Sequence, residues 1–166
     1  MPFGMSPQAF GHTLISLVGI AAGVPVVLGF LNGKRTDGWT STFLWATVMT
    51  TVTGFMLPAD RILPAHIVGV ISLVVLTMAF YARYGRRYAG SWRWVYVASA
   101  MAALYLNVFV LVVQLFLKVE GLKALAPTQS EPPFAIAQGI VFLAFAGLTV
   151  LAIKRFHGEQ LLGARG

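Results

Sequence analysis

The chain has 166 residues, of which 58% are hydrophobic and 10% charged, and it carries a formal net charge of +7. A soluble domain needs about a quarter of its residues charged to coat its surface, so this composition excludes a water-soluble globule and indicates one polytopic membrane domain. The absence of cysteine excludes disulfides, thiolate zinc sites, iron–sulfur clusters and covalently attached c-type haem.

Taken in chain order, five apolar spans emerge. The first covers 11–31, GHTLISLVGIAAGVPVVLGFL, and ends at Asn32-Gly33. The first cation is Lys34, beyond this run, so the run lacks the basic leader of a cleavable signal and is expected to be a retained helix. The second, 41–57, is the shortest and most polar, and Pro58 stops it. The third covers 63–82, with Pro64 suited to a first helical turn. The fourth, 94–117, contains LYLNVFVLVVQLFLK, an apolar run interrupted by Asn107 and Gln114. The fifth, 133–153, is entered through Ser130-Glu131-Pro132-Pro133, a cap followed by prolines whose missing N–H groups cost nothing there.

Backbone amides in lipid must be satisfied within their own segment, and no alternating ten-residue pattern suggests a barrel. The expected fold is therefore all-α, a polytopic transmembrane bundle of about five helices forming a single domain over 1–166. Lys and Arg placement sets its orientation. Lys34, Arg35, Arg83, Arg86, Arg87, Arg93, Lys154, Arg155 and Arg165 fall on one side, against Arg61, Lys118 and Lys123 on the other. This predicts an outer N-terminus and a cytoplasmic C-terminus. A re-entrant second span would place loop 83–93 and the tail on opposite sides and spoil that bias.

With this topology, His12, His66, Gln114 and Gln138 lie towards the outer face, with Asp60, Arg61 and Glu131 in the outer loops. His12, Ser16, Gly19 and Gly23 share one helical stripe, and Gly19-x-x-x-Gly23 is a close-packing face for another helix or a second copy. Ala100, Ala103, Asn107, Val110 and Gln114 share another, and Thr47, Thr50, Thr51 and Gly54 line one side of the second span. Phe134, Gln138, Phe142 and Phe145 line one side of the fifth. These small and polar stripes are expected to face inward.

Three functional readings follow. In the first, Asn107, Gln114, Gln138, Ser16 and Thr50 line a polar ligand or cofactor pocket in the outer half, in an accessory or binding component. The bland counterpart is interhelical hydrogen bonding, worth about 0.6–2 kcal/mol per contact. In the second, His12 and His66 ligate a b-type haem, with Gly19 and Gly69 as spacers and Arg61 on a propionate. The bland counterpart is a pair of interfacial imidazoles bonded to loop carbonyls or water. The third is a small-solute permease, for which Pro25 would free a carbonyl inside the first span. A metal held by His12, His66 and Asp60 or Glu131 lacks any supporting HxxxH or ExxH spacing. No catalytic constellation is recognisable. The basic run RYGRRYAGSWRW, 83–94, reads as a positive-inside loop against anionic lipid rather than a nucleic-acid site. Expected partners are the lipid bilayer and a membrane protein or a second copy.

The stretches TGFMLPADRILPAHIVGVISL and LYLNVFVLVVQLFLKVEGLKALAPTQSEPPFAIAQG resemble a family of small bacterial integral membrane proteins of no established activity. The resemblance covers most of 40–145 and rests on LYLNVFVLVVQ and APTQSEPPF. It implies the bacterial inner (cytoplasmic) membrane and no catalytic residues. It also draws attention to the outer loop 118–133, whose Thr128, Gln129, Ser130 and Glu131 would fold back as a lid.

Overall fold

The computed structural model describes residues 6–57 and 64–157, and among them every regular element is helical. Helix α1 covers Pro7–Leu31, α2 Asp37–Phe55, α3 Pro64–Phe80, α4 Trp92–Lys118, α5 Glu120–Leu125 and α6 Pro132–Arg155. A π-helical turn, Tyr81–Gly85, continues α3. Four segments are long and apolar enough to cross a membrane: Pro7–Leu31, Ala65–Gly85, Trp92–Lys118 and Pro132–Arg155. Helix α2 is not among them, because six threonines and a serine lower its hydropathy. It nevertheless lies along α1, and its 19 residues extend about 28 Å.

Local chemistry explains the boundaries. The Ser6 hydroxyl accepts from the Ala9 N–H at 3.2 Å, and Pro7 follows at the first helical position, so α1 starts a turn before its apolar run. At its other end Gly33 takes φ +66°. Lys34 N–H then reaches the Gly29 carbonyl at 2.8 Å and Gly33 N–H the Phe30 carbonyl at 3.2 Å. This is a Schellman stop, and it needs the glycine for the left-handed residue. Pro25 does not interrupt α1. Pro64 opens α3, and Pro132 and Pro133 open α6, as the sequence predicts. Within the loop 118–133 a short helix, α5, occupies Glu120–Leu125.

Helix α4 is the hub, touching α1, α2, α3 and α6. Its buried face, Tyr96, Val97, Ala100, Met101, Ala103 and Leu104, meets Ala22, Val26 and Phe30 of α1 with Phe43 and Leu44 of α2. The glycines let the backbones approach. A Cβ on Gly19 would touch Ala46 at 3.5 Å, and one on Gly23 would lie 2.5 Å from a Leu104 methyl. The Gly19/Gly23 face is thus spent on α2 and α4 inside one chain. Val18, Val24 and Leu28 of α1, Ile67, Val70 and Val74 of α3, and Ile140, Leu143 and Val150 of α6 remain exposed. An apolar surface of this extent suits lipid, not water.

The Gly23–Leu104 contact gives a direct test. Replacing Gly23 by Val overpacks the α1–α4 contact and destabilises the bundle by about 1–3 kcal/mol, measured by unfolding in mixed detergent micelles. Adding Leu104→Ala makes room for the new methyls, so the double variant loses less than the sum of the singles.

Candidate functional site

At the end of the bundle where α1 begins and α2 finishes, an open cleft of about 280 Å³ is lined by Pro7, Gln8, Gly11, His12, Ile15, Thr53, Met56 and Leu57. His12 is its central polar group. Its Nδ1 lies 3.0 Å from Thr53 Oγ1. The Thr53 hydroxyl has one proton and directs it to the Met49 carbonyl, 2.7 Å away, so it accepts from a protonated Nδ1. This fixes the neutral imidazole in the tautomer whose Nε2 offers a lone pair. The ring fits because residue 54 is glycine: a Cβ there would lie 3.2 Å from His12 Cε1. The rest of the cleft is apolar apart from Gln8, which is exposed at its edge.

The second imidazole takes a different partner on the same turn of α2. His66 stacks on Phe55, with ring centroids 5.9 Å apart and planes 16° from parallel. Thr53 and Phe55 are two residues apart on one helix, so they point to different sides of it. The Phe55 ring also fills the space beside Gly69, where a Cβ would meet Phe55 Cζ at 2.8 Å. Asp60 and Arg61, expected beside these groups, lie outside the described residues.

None of Asn107, Gln114, Gln138, Ser16 or Thr50 lines the cleft. Asn107 Nδ2 donates to Thr47 Oγ1 at 3.0 Å, and that hydroxyl passes its own proton to the Phe43 carbonyl. Ser16 Oγ donates back to the His12 carbonyl at 2.8 Å. Gln138 Nε2 donates to the Phe109 carbonyl at 3.2 Å. Gln114 is half-buried on α4. Thr50 Oγ1 and Gln138 Oε1 are buried without a hydrogen bond. Asn107 and Gln138 therefore tie helices together while Ser16 bonds within its own helix, and the cleft collects the residues sequence reasoning missed, Gln8 and Thr53. The legible signal was Gly54, a glycine one residue from a threonine and level with His12 in antiparallel neighbours.

Loop 118–133 is fastened beside this end. Gln129 Nε2 donates to the Val113 carbonyl at 2.9 Å. Glu131 accepts from Thr128 N at 3.1 Å, Thr128 Oγ1 at 2.9 Å and Ser130 N at 3.1 Å. Slight desolvation pushes the Glu131 carboxyl up, but these hydrogen bonds outweigh it and hold the pKa below its ordinary 4.5.

The opposite end holds a feature invisible in the sequence. The π-helical turn brings Arg83 inward to 8% exposure, although the run it belongs to reads as a surface loop. Its guanidinium meets the Asp37 carboxylate at 3.0 Å, the Asp37 carbonyl at 3.3 Å, the Tyr88 hydroxyl at 3.2 Å and the Tyr96 hydroxyl at 3.5 Å. Burial, then Tyr96, pushes the Tyr88 phenol well above its ordinary value, so it is neutral and accepts from Arg83. Arg87 and Tyr88 take φ +48° and +63°, a left-handed pair that turns Tyr88 back into the core. All these donors are used within the protein, so this cluster is a fastening and the cleft is the candidate site.

Comparison with protein-family models, curated proteins and solved structures returned no match, so the family resemblance noted in the sequence remains an expectation.

Glu131 gives a pH prediction. Because its folded pKa is depressed, its contribution to loop order is complete above pH 4.5 and is lost as the pH falls through the lower folded value. Exchange of the Thr128 and Ser130 amide protons, corrected for intrinsic rates, accelerates in that acid window. Glu131→Ala shows the faster exchange already at neutral pH.

Proposed function

We propose that the chain is a five-span protein of a bacterial cytoplasmic membrane, with its N-terminus outside, and that it binds a small amphipathic ligand in the His12 cleft. The carrying observation is the His12–Thr53–Met49 relay, which leaves Nε2 as a hydrogen-bond acceptor in an otherwise apolar cleft. A ligand matched to it has a hydroxyl head that donates to Nε2 and an apolar body that lies against Ile15, Met56 and Leu57; a quinol has both. The reading is of a binding or accessory role, and among the described residues the cleft's polar groups are Gln8, His12 and Thr53.

Two observations support the topology. Among the described residues eight cations, Lys34, Arg35, Arg83, Arg86, Arg87, Arg93, Lys154 and Arg155, gather at the far end of the bundle, against Lys118 and Lys123 at the cleft end. Helix α2 also meets the requirement for burial in lipid, because Thr42, Thr47, Thr51 and Thr53 each donate to a carbonyl four residues back. A b-type haem on His12 and His66 is the alternative. It is favoured by the same Nε2 lone pair, since a ligating imidazole usually donates its other N–H to a neighbour, but it requires Phe55 to leave the space beside Gly69.

Binding of decyl-ubiquinol to purified protein, followed by equilibrium dialysis under reducing conditions, tests the cleft. His12→Ala and Thr53→Val each weaken it by about three- to tenfold, the effect of one lost hydrogen bond. Wild-type affinity in both variants rejects the site, and a haem absorption band in the purified protein selects the alternative. The topology has its own test, which the absence of native cysteine makes clean. In sealed right-side-out vesicles an impermeant thiol reagent labels Met56→Cys and Lys123→Cys and spares Lys34→Cys. Equal labelling of residues 34 and 56 would show that α2 does not cross.

A further inference from the structure

The end remote from the cleft is asymmetric in two ways. It carries the eight cations named above, with Asp37 as its one carboxylate among the described residues, and Asp37 pairs with Arg35 and Arg83. It also holds three of the four tryptophans, Trp39, Trp92 and Trp94, and four of the five tyrosines, with Trp45 and Tyr105 in mid-helix. Trp39, Trp94, Tyr81 and Tyr84 are about half exposed, the arrangement of rings seated at a lipid headgroup boundary. Transmembrane proteins commonly wear such belts at both interfaces, and here the described part of the cleft end has neither Trp nor Tyr.

Within that end the turn that carries Lys34 packs against the end of α6. A Cβ on Gly33 would lie 3.2 Å from the Arg155 carbonyl, and Arg155 Nη1 reaches the Leu31 carbonyl at 3.5 Å. Lys34 follows Gly33 directly, and both Lys34 and Arg155 are exposed where α1 and α6 end. His157 joins them through Nδ1 on the Arg155 carbonyl at 2.8 Å. Arg93 lies on the adjoining flank and donates to the Phe156 carbonyl at 2.6 Å. The carbonyl ends of two helices offset part of the repulsion between these cations, but no carboxylate among the described residues neutralises Lys34 and Arg155.

We propose that Lys34 and Arg155 hold the phosphate of an anionic phospholipid, whose acyl chains lie against the exposed apolar sides of α1 and α6. The phosphate supplies a negative charge where the described residues offer none, and it accepts from the Lys34 ammonium and from N–H groups of Arg155. The lipid, rather than free phosphate, is the occupant because apolar residues about half exposed, Leu28 of α1 and Leu151 of α6, lie within two turns of these cations along their helices. The anionic surface of the cytoplasmic leaflet would deliver it.

The tryptophans provide the measurement. The protein is reconstituted into phosphatidylcholine bilayers in which a fixed fraction of the lipid is brominated phosphatidylglycerol or brominated phosphatidylcholine, and quenching of tryptophan fluorescence is compared. Brominated phosphatidylglycerol quenches more strongly. Lys34→Gln and Arg155→Gln each weaken the preference by about fivefold, and the double variant removes it. Lys118→Gln/Lys123→Gln at the other end leaves it unchanged. The charge-conserving Lys34→Arg/Arg155→Lys retains most of it, which separates loss of charge from loss of fold. Equal quenching by the two lipids, or a preference that survives in the double Gln variant, overturns the proposal. So does displacement by inorganic phosphate, which would identify a site for the soluble anion.

Discussion

The architecture depends on one buried guanidinium. Arg83 lies in the π-helical turn that continues α3, and its donors reach the first residue of α2, the turn before α4 and the first turns of α4 itself. A cation at the edge of the hydrocarbon layer is costly unless its donors are used, and removal of one partner of a buried pair costs several kcal/mol. Desolvation offsets most of the attraction, so the cluster chiefly fixes which residues face each other. The aromatic packing extends that register to the remaining helices. Phe30 of α1 meets Tyr96 and Phe156 edge-on, at 5.5 and 5.2 Å, and Tyr88 meets Tyr96 at 4.9 Å. Five chain segments are thereby locked at one end.

The other end is built from weaker ties. Asn107 on Thr47, Gln138 on the Phe109 carbonyl and Gln129 on the Val113 carbonyl join helices through single neutral hydrogen bonds. Such bonds contribute about 0.6 kcal/mol on average in a membrane. Among the described residues, nothing comparable to the Arg83 cluster spans the cleft between α1 and α2. The Arg83 end sets the helix directions. Both ends follow from where the sequence puts arginine and tyrosine on one side and amides and threonine on the other.

Much of this was legible in the sequence. Asn32-Gly33, Pro64 and Pro132-Pro133 mark helix boundaries by backbone chemistry, and the structure uses each of them as such. The stripes through Ala100, Ala103 and Asn107 and through Thr47 and Thr51 face inward because helical spacing alone decides which residues share a side. Two kinds of feature were hidden. A π-helical turn shifts the backbone by one residue without a characteristic side chain, so the inward rotation of Arg83 could not be read from RYGRRY. Contacts between distant segments, such as His12 with Thr53 and Gly69 with Phe55, depend on how far each helix slides along its neighbour, which no local pattern specifies. The short helix in loop 118–133 was hidden for a simpler reason: EGLKAL is too short to show a helical period.

Helix α2 shows why the cleft lies where it does. Thr42, Thr47 and Thr51 turn their hydroxyl protons back onto their own helix and so become nearly apolar to their surroundings. That habit lets a threonine-rich segment sit in a bundle at all. Near the end of the helix the pattern changes. Thr50 leaves its buried oxygen without a hydrogen bond, and Thr53, having given its proton to Met49, accepts from His12. A hydroxyl whose donor is spent is an acceptor only, and it can orient an imidazole only by receiving its N–H. The same self-bonding along α2 therefore fixes the His12 tautomer and determines that the cleft presents a lone pair rather than a proton.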